Sequence, residues 1–223
     1  LPRQLAQLCK ENRRDVTRGG ARLVHISTDA VFDGTRGDYT ETDEPSPLGM
    51  YARTKLEAEW AVAEADPSAI IARINLFGWS MGGRRSLAEF FFNNLSAGKQ
   101  VMGFTDVIFC PLLANDIAHI LTRMLEMGLS GVYHTVGGEC LSKYEFGVRL
   151  AERFGLDAGL ITPTSVQQGG LTAVRAPNLS LRTEKLAQAL GESLPRLSPA
   201  LERFYTLYQQ GYPQMIQGLR GKG

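Results

Sequence analysis

Two short apolar runs, joined by one helix-like segment, most constrain the fold of this chain. The first run is Leu23-Val24-His25-Ile26 and the second is Ala69-Ile70-Ile71-Ala72-Arg73-Ile74. Both runs have the length and the β-branched content of buried strands. The segment between them, from Tyr51 to about Ala65, predicts a helix that stops before Pro67. Strand, long loop, helix and strand form a βαβ unit, so the sequence predicts an α/β fold built on a parallel sheet.

The first run ends in a polar triplet, Ser27-Thr28-Asp29, and a connection rich in Gly, Pro and Asp follows from Asp33 to Gly49. In open α/β sheets, ligands bind beyond the carboxyl ends of the strands. A connection of this length without secondary structure is more typical of a functional loop than of a simple linker. We therefore expect a binding site where Thr28 and this loop meet.

The segment Tyr51-Ala-Arg-Thr-Lys55 places a phenol and an ammonium one turn apart on the same face of the predicted helix. The ammonium would favour the phenolate form, so that Tyr51 could exchange a proton with a carbonyl or carbinol oxygen. Thr28, at the end of a neighbouring strand, could hold the same oxygen. Carbonyl reduction by a nicotinamide cofactor needs this set of groups. The spacing alone also fits a surface tyrosine beside a solvated lysine, and only the flanking βαβ pattern favours the catalytic interpretation.

The composition limits which binding partners and which cellular compartment the sequence favours. The net charge of the 223 residues is +1, which provides no broad attraction for nucleic acid or acidic membranes. No apolar stretch reaches the length of a membrane span, and the histidines lack the spacing of metal ligands. The three cysteines, Cys9, Cys110 and Cys140, are odd in number and scattered. They favour a reducing cytoplasm and argue against a disulfide or a thiolate metal site.

Capping patterns outline the rest of the chain. Ser86 to Glu89 and Ser142 to Glu145 each have the spacing of a capping box and predict two helix starts. Gly131 to Val136 reads as another strand. At the amino terminus, Leu1, Leu5 and Leu8 have the spacing of an amphipathic helix that packs on a sheet.

Several motifs then occur in a fixed order along the chain. They are Ile26-Ser-Thr-Asp-Ala-Val-Phe-Asp-Gly34, Pro45-Ser-Pro-Leu-Gly-Met-Tyr51-Ala-Arg-Thr-Lys55-Leu-Glu-Ala-Glu59, Arg73-Ile-Asn-Leu-Phe-Gly78, Gly131-Val-Tyr-His134 and Arg175-Ala-Pro-Asn178. Together they resemble the extended short-chain dehydrogenase/reductases and, within these, most closely the dTDP-4-dehydrorhamnose reductases. The resemblance covers nearly the whole chain.

The resemblance implies the carboxyl-terminal part of a Rossmann-type parallel sheet and a smaller, mostly helical substrate lobe. Residues 1–78, with a strand near 131–137 returning to them, would belong to the NAD(P)-binding domain, and residues 79–223 mainly to the lobe. The implied activity is reduction of a 4-keto sugar nucleotide by NADPH or NADH in nucleotide-sugar biosynthesis. The catalytic residues would be Thr28, Tyr51 and Lys55. The cofactor would contact Ser27, Tyr51, Lys55 and Asn75, and the substrate would contact Asp29, Arg85 and Arg175.

Two departures from the family pattern qualify these expectations. The sequence contains no glycine-rich pyrophosphate loop of the required spacing, so we expect a fragment that lacks the amino-terminal Rossmann half. Ala30 stands where these reductases usually have a tyrosine, so the sugar could differ from the rhamnose precursor. The alternatives are a cofactor-sensing subunit without turnover, similar to the methionine adenosyltransferase β subunit, and another extended epimerase or dehydratase. The sequence also leaves open whether the chain forms a homodimer.

Overall fold

A computed structural model describes residues 1–14, 20–168 and 176–219 of the chain. The helices of this part are Pro2–Arg14 (α1), Met50–Ala65 (α2), Leu87–Ser96 (α3), Ala114–Glu126 (α4), Lys143–Phe154 (α5), Glu184–Leu190 (α6), Leu197–Gln209 (α7) and Tyr212–Gly218 (α8). The strands are Val24–Thr28 (β1), Ile70–Ile74 (β2), Leu76–Phe77 (β3), Val101–Phe104 (β4), Ile108–Phe109 (β5), Leu112–Leu113 (β6), Gly131–Thr135 (β7), Leu141–Ser142 (β8) and Ile161–Thr164 (β9). No helix in these ranges is both long enough and apolar enough to cross a membrane.

A three-stranded parallel sheet with the order β1-β2-β7 organises the fold. Its register places Ser27 beside Arg73 and Arg73 beside His134, so that these three residues form one row across the sheet. Helix α2 connects β1 to β2, as the βαβ pattern predicts. The sheet is parallel, and the α/β fold class expected from the sequence is confirmed.

Both faces of this sheet are covered, which explains why β2 is buried along its whole length. Ile70, Ala72 and Ile74 point to one face, where they pack in one apolar core with residues of α4 and α6. Ile71, on the opposite face, packs with Val62 of α2 and with Ala6 of α1.

A second apolar core forms beside the sheet, around aromatic side chains of α3, α5 and α7. Phe91, Phe146 and Phe204 lie in it together with Phe77 of β3. Both predicted capping boxes are present at the amino ends of α3 and α5, where Ser86 pairs with Glu89 and Ser142 pairs with Glu145. The proposed division of the chain at residue 78 stays a prediction.

Helix α1 differs from the sequence expectation. Leu1, Leu5 and Leu8 are exposed, and Ala6 is the residue buried against α2. The helix expected here is present and reaches the core beside the sheet through Ala6, whereas the prediction that the leucine stripe faces the sheet is wrong. The small side chain of Ala6 lets α1 approach α2 closely, and the leucines lie outside this contact.

The cysteines also differ from the sequence expectation, because Cys110 and Cys140 form a disulfide across a separation of 30 residues. Strand β5 pairs antiparallel with β8, and Phe109 lies opposite Leu141. Each cysteine is the next residue outside that pair, so the pairing brings the two thiols together. Cys9 is free. The argument from cysteine spacing against a disulfide is therefore wrong, and it no longer supports a reducing compartment.

Candidate functional site

A cleft of about 330 Å³ opens beside the carboxyl ends of β1 and β2. Its walls are mainly apolar and include Phe32, Leu48, Phe109 and Leu179. Its polar side chains are those of Tyr51, Asn75 and Lys143. Apolar walls with a few convergent polar groups are typical of small-molecule sites.

Tyr51 reaches this cleft because α2 begins immediately before it. Gly49 caps the helix with extended backbone and itself lines the cleft. Tyr51 is 64% exposed, so its phenol is accessible to a ligand. One turn further along the helix, the Lys55 ammonium donates a hydrogen bond of 3.0 Å to the carbonyl oxygen of Ile26 in β1. This contact ties the Tyr–Lys face of α2 to the strand that ends in Thr28.

Thr28 lies behind the cleft with its hydroxyl already engaged. Its Oγ1 donates to Asp29 Oδ1 at 3.0 Å and accepts from the backbone nitrogen of Ala30 at 3.2 Å. A hydroxyl has one hydrogen to donate. Thr28 must therefore redirect that hydrogen away from Asp29 before it can donate to a substrate oxygen.

Asp29 connects Thr28 to the cleft-lining amide of Asn75. Its Oδ2 accepts a hydrogen bond from Asn75 Nδ2, while Oδ1 accepts from Thr28. The Asp29 carboxyl is buried, and this burial raises its pKa. The hydrogen bonds from Asn75 and Thr28 and the positive charge of Lys143 act in the opposite direction. The carboxyl thus holds two site residues in place from below the cleft surface.

Ser27, expected to contact the cofactor, is buried and donates instead to Glu59 Oε1. Glu59 also forms a two-pronged ion pair with Arg73, with Arg73 Nε 3.0 Å from Oε1 and Nη2 2.7 Å from Oε2. Sequence reasoning missed the pairing of Glu59 and Arg73. The available signal was an arginine inside an otherwise apolar parallel strand, because a buried charge requires a partner.

The three residues predicted to contact the substrate do not lie together in the cleft. Asp29 lies beneath the cleft rather than on its lining. Arg85 is exposed and does not line the cleft; its backbone nitrogen donates to Glu89 in the cap of α3. Arg175 lies outside the described residues, although its neighbour Ala176 lines the cleft. The sequence reasoning did not identify Lys143, which does line it.

The class of protein follows from this arrangement. A parallel α/β sheet has a hydroxyl at the end of one strand and a Tyr–Lys pair on the helix that follows it. Fold and site together define a Rossmann-like chain of the extended short-chain dehydrogenase/reductase type.

Comparison with known proteins specifies the family. Residues 2–210 match the family described as the RmlD substrate binding domain, and the chain belongs to that family. It is 33% identical over 214 residues to the probable low-salt glycan biosynthesis reductase Agl14 of Haloferax volcanii, covering 93% of this chain and 69% of that protein. It is also 32% identical over 186 residues to methionine adenosyltransferase 2 subunit beta of Danio rerio, covering 79% of this chain and 56% of that subunit.

Solved structures agree with the fold. A dTDP-4-dehydrorhamnose reductase of Clostridium acetobutylicum superposes with a TM-score of 0.79 at 26% identity, covering 93% of this chain and 71% of that one. A dTDP-4-dehydrorhamnose reductase of Bacillus anthracis, solved in complex with NADP, has the same TM-score at 24% identity, covering 92% of this chain and 70% of that one. The chain thus spans only part of the length of its relatives.

Proposed function

We propose that this chain serves the NAD(P)H-dependent reduction of a 4-keto sugar nucleotide such as dTDP-4-dehydrorhamnose. The observation that carries the proposal is the convergence of Tyr51 and Asn75 on one cleft, with Thr28 directly behind it and Lys55 one turn along α2. The relatives named as reductases support the same chemistry.

The residues present fit the nicotinamide end of such a cofactor. Tyr51 is exposed at the cleft, and the Lys55 ammonium lies at β1 near the carboxyl edge of the sheet, where it could hold ribose hydroxyls. The sequence has no glycine-rich turn of the spacing that holds the pyrophosphate, so this chain supplies only part of a cofactor site. When bound, the cofactor supplies a hydride to the keto carbon.

The protein groups handle the oxygen of the keto group. Tyr51 supplies a proton to this oxygen, and Lys55 stabilises the phenolate that remains. Thr28 turns its hydroxyl from Asp29 to the same oxygen and helps to position it. The apolar walls of the cleft limit the access of water and strengthen these polar contacts.

The test is turnover of the whole natural protein that carries this chain, followed as NADPH oxidation with dTDP-4-dehydrorhamnose. Tyr51→Phe should lower kcat at least about 100-fold, the usual contribution of a positioned proton donor. Tyr51→Phe should leave NADPH binding nearly unchanged. Lys55→Ala should lower kcat and also weaken NADPH binding. Tyr212→Phe, on α8, is the matched control. Wild-type turnover in Tyr51→Phe would refute the catalytic assignment.

A second candidate is a regulatory subunit that keeps the fold without turnover. The similarity to methionine adenosyltransferase 2 subunit beta favours it, and the presence of Thr28, Tyr51 and Lys55 does not exclude it. Absence of keto-sugar reduction, together with stable binding of a methionine adenosyltransferase catalytic subunit, would favour this alternative. Turnover without such binding would favour the reductase.

A further inference from the structure

Among the described residues that line the cleft, Lys143 is the one that carries a charge. The cleft walls around it are mostly apolar. A charge in such surroundings interacts more strongly with a ligand than it would in open solvent, because the local dielectric is lower. Among these described lining residues, Lys143 thus adds a positive charge to the cleft.

The backbone of Lys143 is fixed to the cleft wall. Lys143 is the first residue of α5, and its backbone nitrogen donates a hydrogen bond of 3.1 Å to the carbonyl oxygen of Val107. The preceding residue, Ser142, pairs with Ile108 between β8 and β5. Val107 and Ile108 line the cleft as well. The base of the lysine side chain is thus held by the same wall that a ligand would contact.

Lys143 is also close to the catalytic cluster. It lines the same cleft as Tyr51 and Asn75, and Asn75 in turn donates a hydrogen bond to the Asp29 carboxyl that also holds Thr28. A ligand whose keto group approaches Thr28 and Tyr51 would therefore place its sugar ring, and the substituent on the far side of that ring, in the same cleft as Lys143. In a sugar nucleotide, the group attached to the sugar is an anionic diphosphate.

We infer that Lys143 binds the diphosphate of the sugar-nucleotide substrate. This inference rests on the proposed function for the identity of the ligand, and it concerns the same cleft. Lysine binds phosphate as a point charge. Of the two arginines expected to contact the substrate, Arg85 lies exposed outside the cleft lining and Arg175 lies outside the described residues.

Direct binding of dTDP and of thymidine to the whole natural protein tests the inference, measured by calorimetry at low and high salt. Lys143→Met removes the charge and keeps a long side chain, and Lys143→Arg keeps the charge. Lys99→Met, at an exposed lysine just before β4, is the matched control. We expect Lys143→Met to weaken dTDP binding about 10-fold or more at low salt, with thymidine binding unchanged. Lys143→Arg and Lys99→Met should stay within about twofold of the wild type.

Three results would overturn the inference: no binding of dTDP by the wild type, unchanged dTDP binding in Lys143→Met, or an equal loss of dTDP and thymidine binding. Binding of dTDP does not require turnover. If Lys143→Met weakens dTDP binding but not thymidine binding, and the wild type reduces no keto sugar, the assignment of the diphosphate site stands and the proposed reductase activity is refuted. If the wild type reduces the keto sugar and Lys143→Met binds dTDP as the wild type does, the reductase activity stands and the assignment of Lys143 is refuted.

Discussion

Glu59 of α2 and Arg73 of β2 form a buried, two-pronged ion pair, with Arg73 Nη2 2.7 Å from Glu59 Oε2. Glu59 lies one helical turn beyond Lys55, so the pair fixes the rotation of the helix that presents Tyr51 to the cleft. Ser27 adds a third contact to the same carboxylate. The network joins both ends of the βαβ unit directly behind the site.

We predict that removing one member of this pair costs more than removing both. Arg73→Met leaves the Glu59 carboxylate buried without its cation and should lower the free energy of unfolding by roughly 3–5 kcal/mol. The double variant Glu59→Leu/Arg73→Met removes both charges and should recover much of that loss. Urea unfolding of the two single variants and the double variant measures the coupling. Additive losses would show that the pair is not energetically linked.

A second prediction concerns Asp29, which accepts hydrogen bonds from both Thr28 and Asn75. Asp29→Asn replaces one acceptor oxygen with an N–H donor, so either Asn75 loses its acceptor or Thr28 must accept a hydrogen bond where it now donates one. A lost hydrogen bond to a charged group is worth about 1.5–3 kcal/mol, which corresponds to a fall in kcat of roughly 10- to 100-fold.

The Asp29→Asn effect should appear in kcat and leave dTDP binding unchanged, because Asp29 lies beneath the cleft lining. Thr28→Val should reproduce the loss of kcat, and Thr28→Ser should retain most of the wild-type value. Wild-type kcat in Asp29→Asn would mean that Thr28 and Asn75 keep their positions without the carboxylate.

Features that depend on local patterns could be predicted from the sequence. The βαβ unit follows from apolar runs and one helix, and both capping boxes follow from a spacing of three residues. The position of Tyr51 at the cleft follows from the start of α2. Each of these depends on neighbours in sequence, which local propensity and hydrophobic pattern govern.

Features that depend on tertiary pairing could not be predicted. The disulfide and the place of Lys143 in the cleft both result from the short antiparallel pairing of β5 with β8, for which two-residue strands provide no periodic signal. The family resemblance implies that Asp29 contacts substrate, and this role stays a prediction. Asp29 lies buried beneath the cleft, where it accepts a hydrogen bond from Asn75, a residue 46 positions away that directly follows β2.

A third prediction concerns the disulfide between Cys110 and Cys140. The cross-link spans 30 residues, and restricting a loop of that size in the unfolded chain corresponds to about 3–4 kcal/mol of stability. Cys140→Ser under oxidising conditions should therefore lower the unfolding free energy by that amount, as should reduction of the wild type. Cys9→Ser, at the free cysteine, is the control and should stay near the wild type. Equal stability of the oxidised and reduced wild type would refute a stabilising role.

The last prediction concerns acid stability and His134, which lies in the same row of the sheet as Arg73. Its side chain is buried, and its Nδ1 lies 3.1 Å from the carbonyl oxygen of Arg182, so Nδ1 carries the hydrogen and Nε2 does not. Nε2 has no hydrogen-bond partner among the residues that the structure describes. Burial first, and then the charge of Arg73, lower the pKa of His134 to about 4 against the opposing effects of Glu41, Glu59 and the hydrogen bond to Arg182.

Because the folded pKa is below the ordinary value of 6.5, this histidine favours the folded state above pH 6.5, and the advantage is lost as pH falls toward 4. The loss should reach roughly 2–3 kcal/mol near pH 4.5. His134→Gln keeps a donor for the Arg182 carbonyl and does not titrate. In the difference in unfolding free energy between the wild type and this variant, the contributions of all other titrating groups cancel. Urea unfolding of both proteins from pH 7.5 to pH 4.5 gives the difference directly. Parallel stability curves for the two proteins would show that His134 is not the acid-sensitive group.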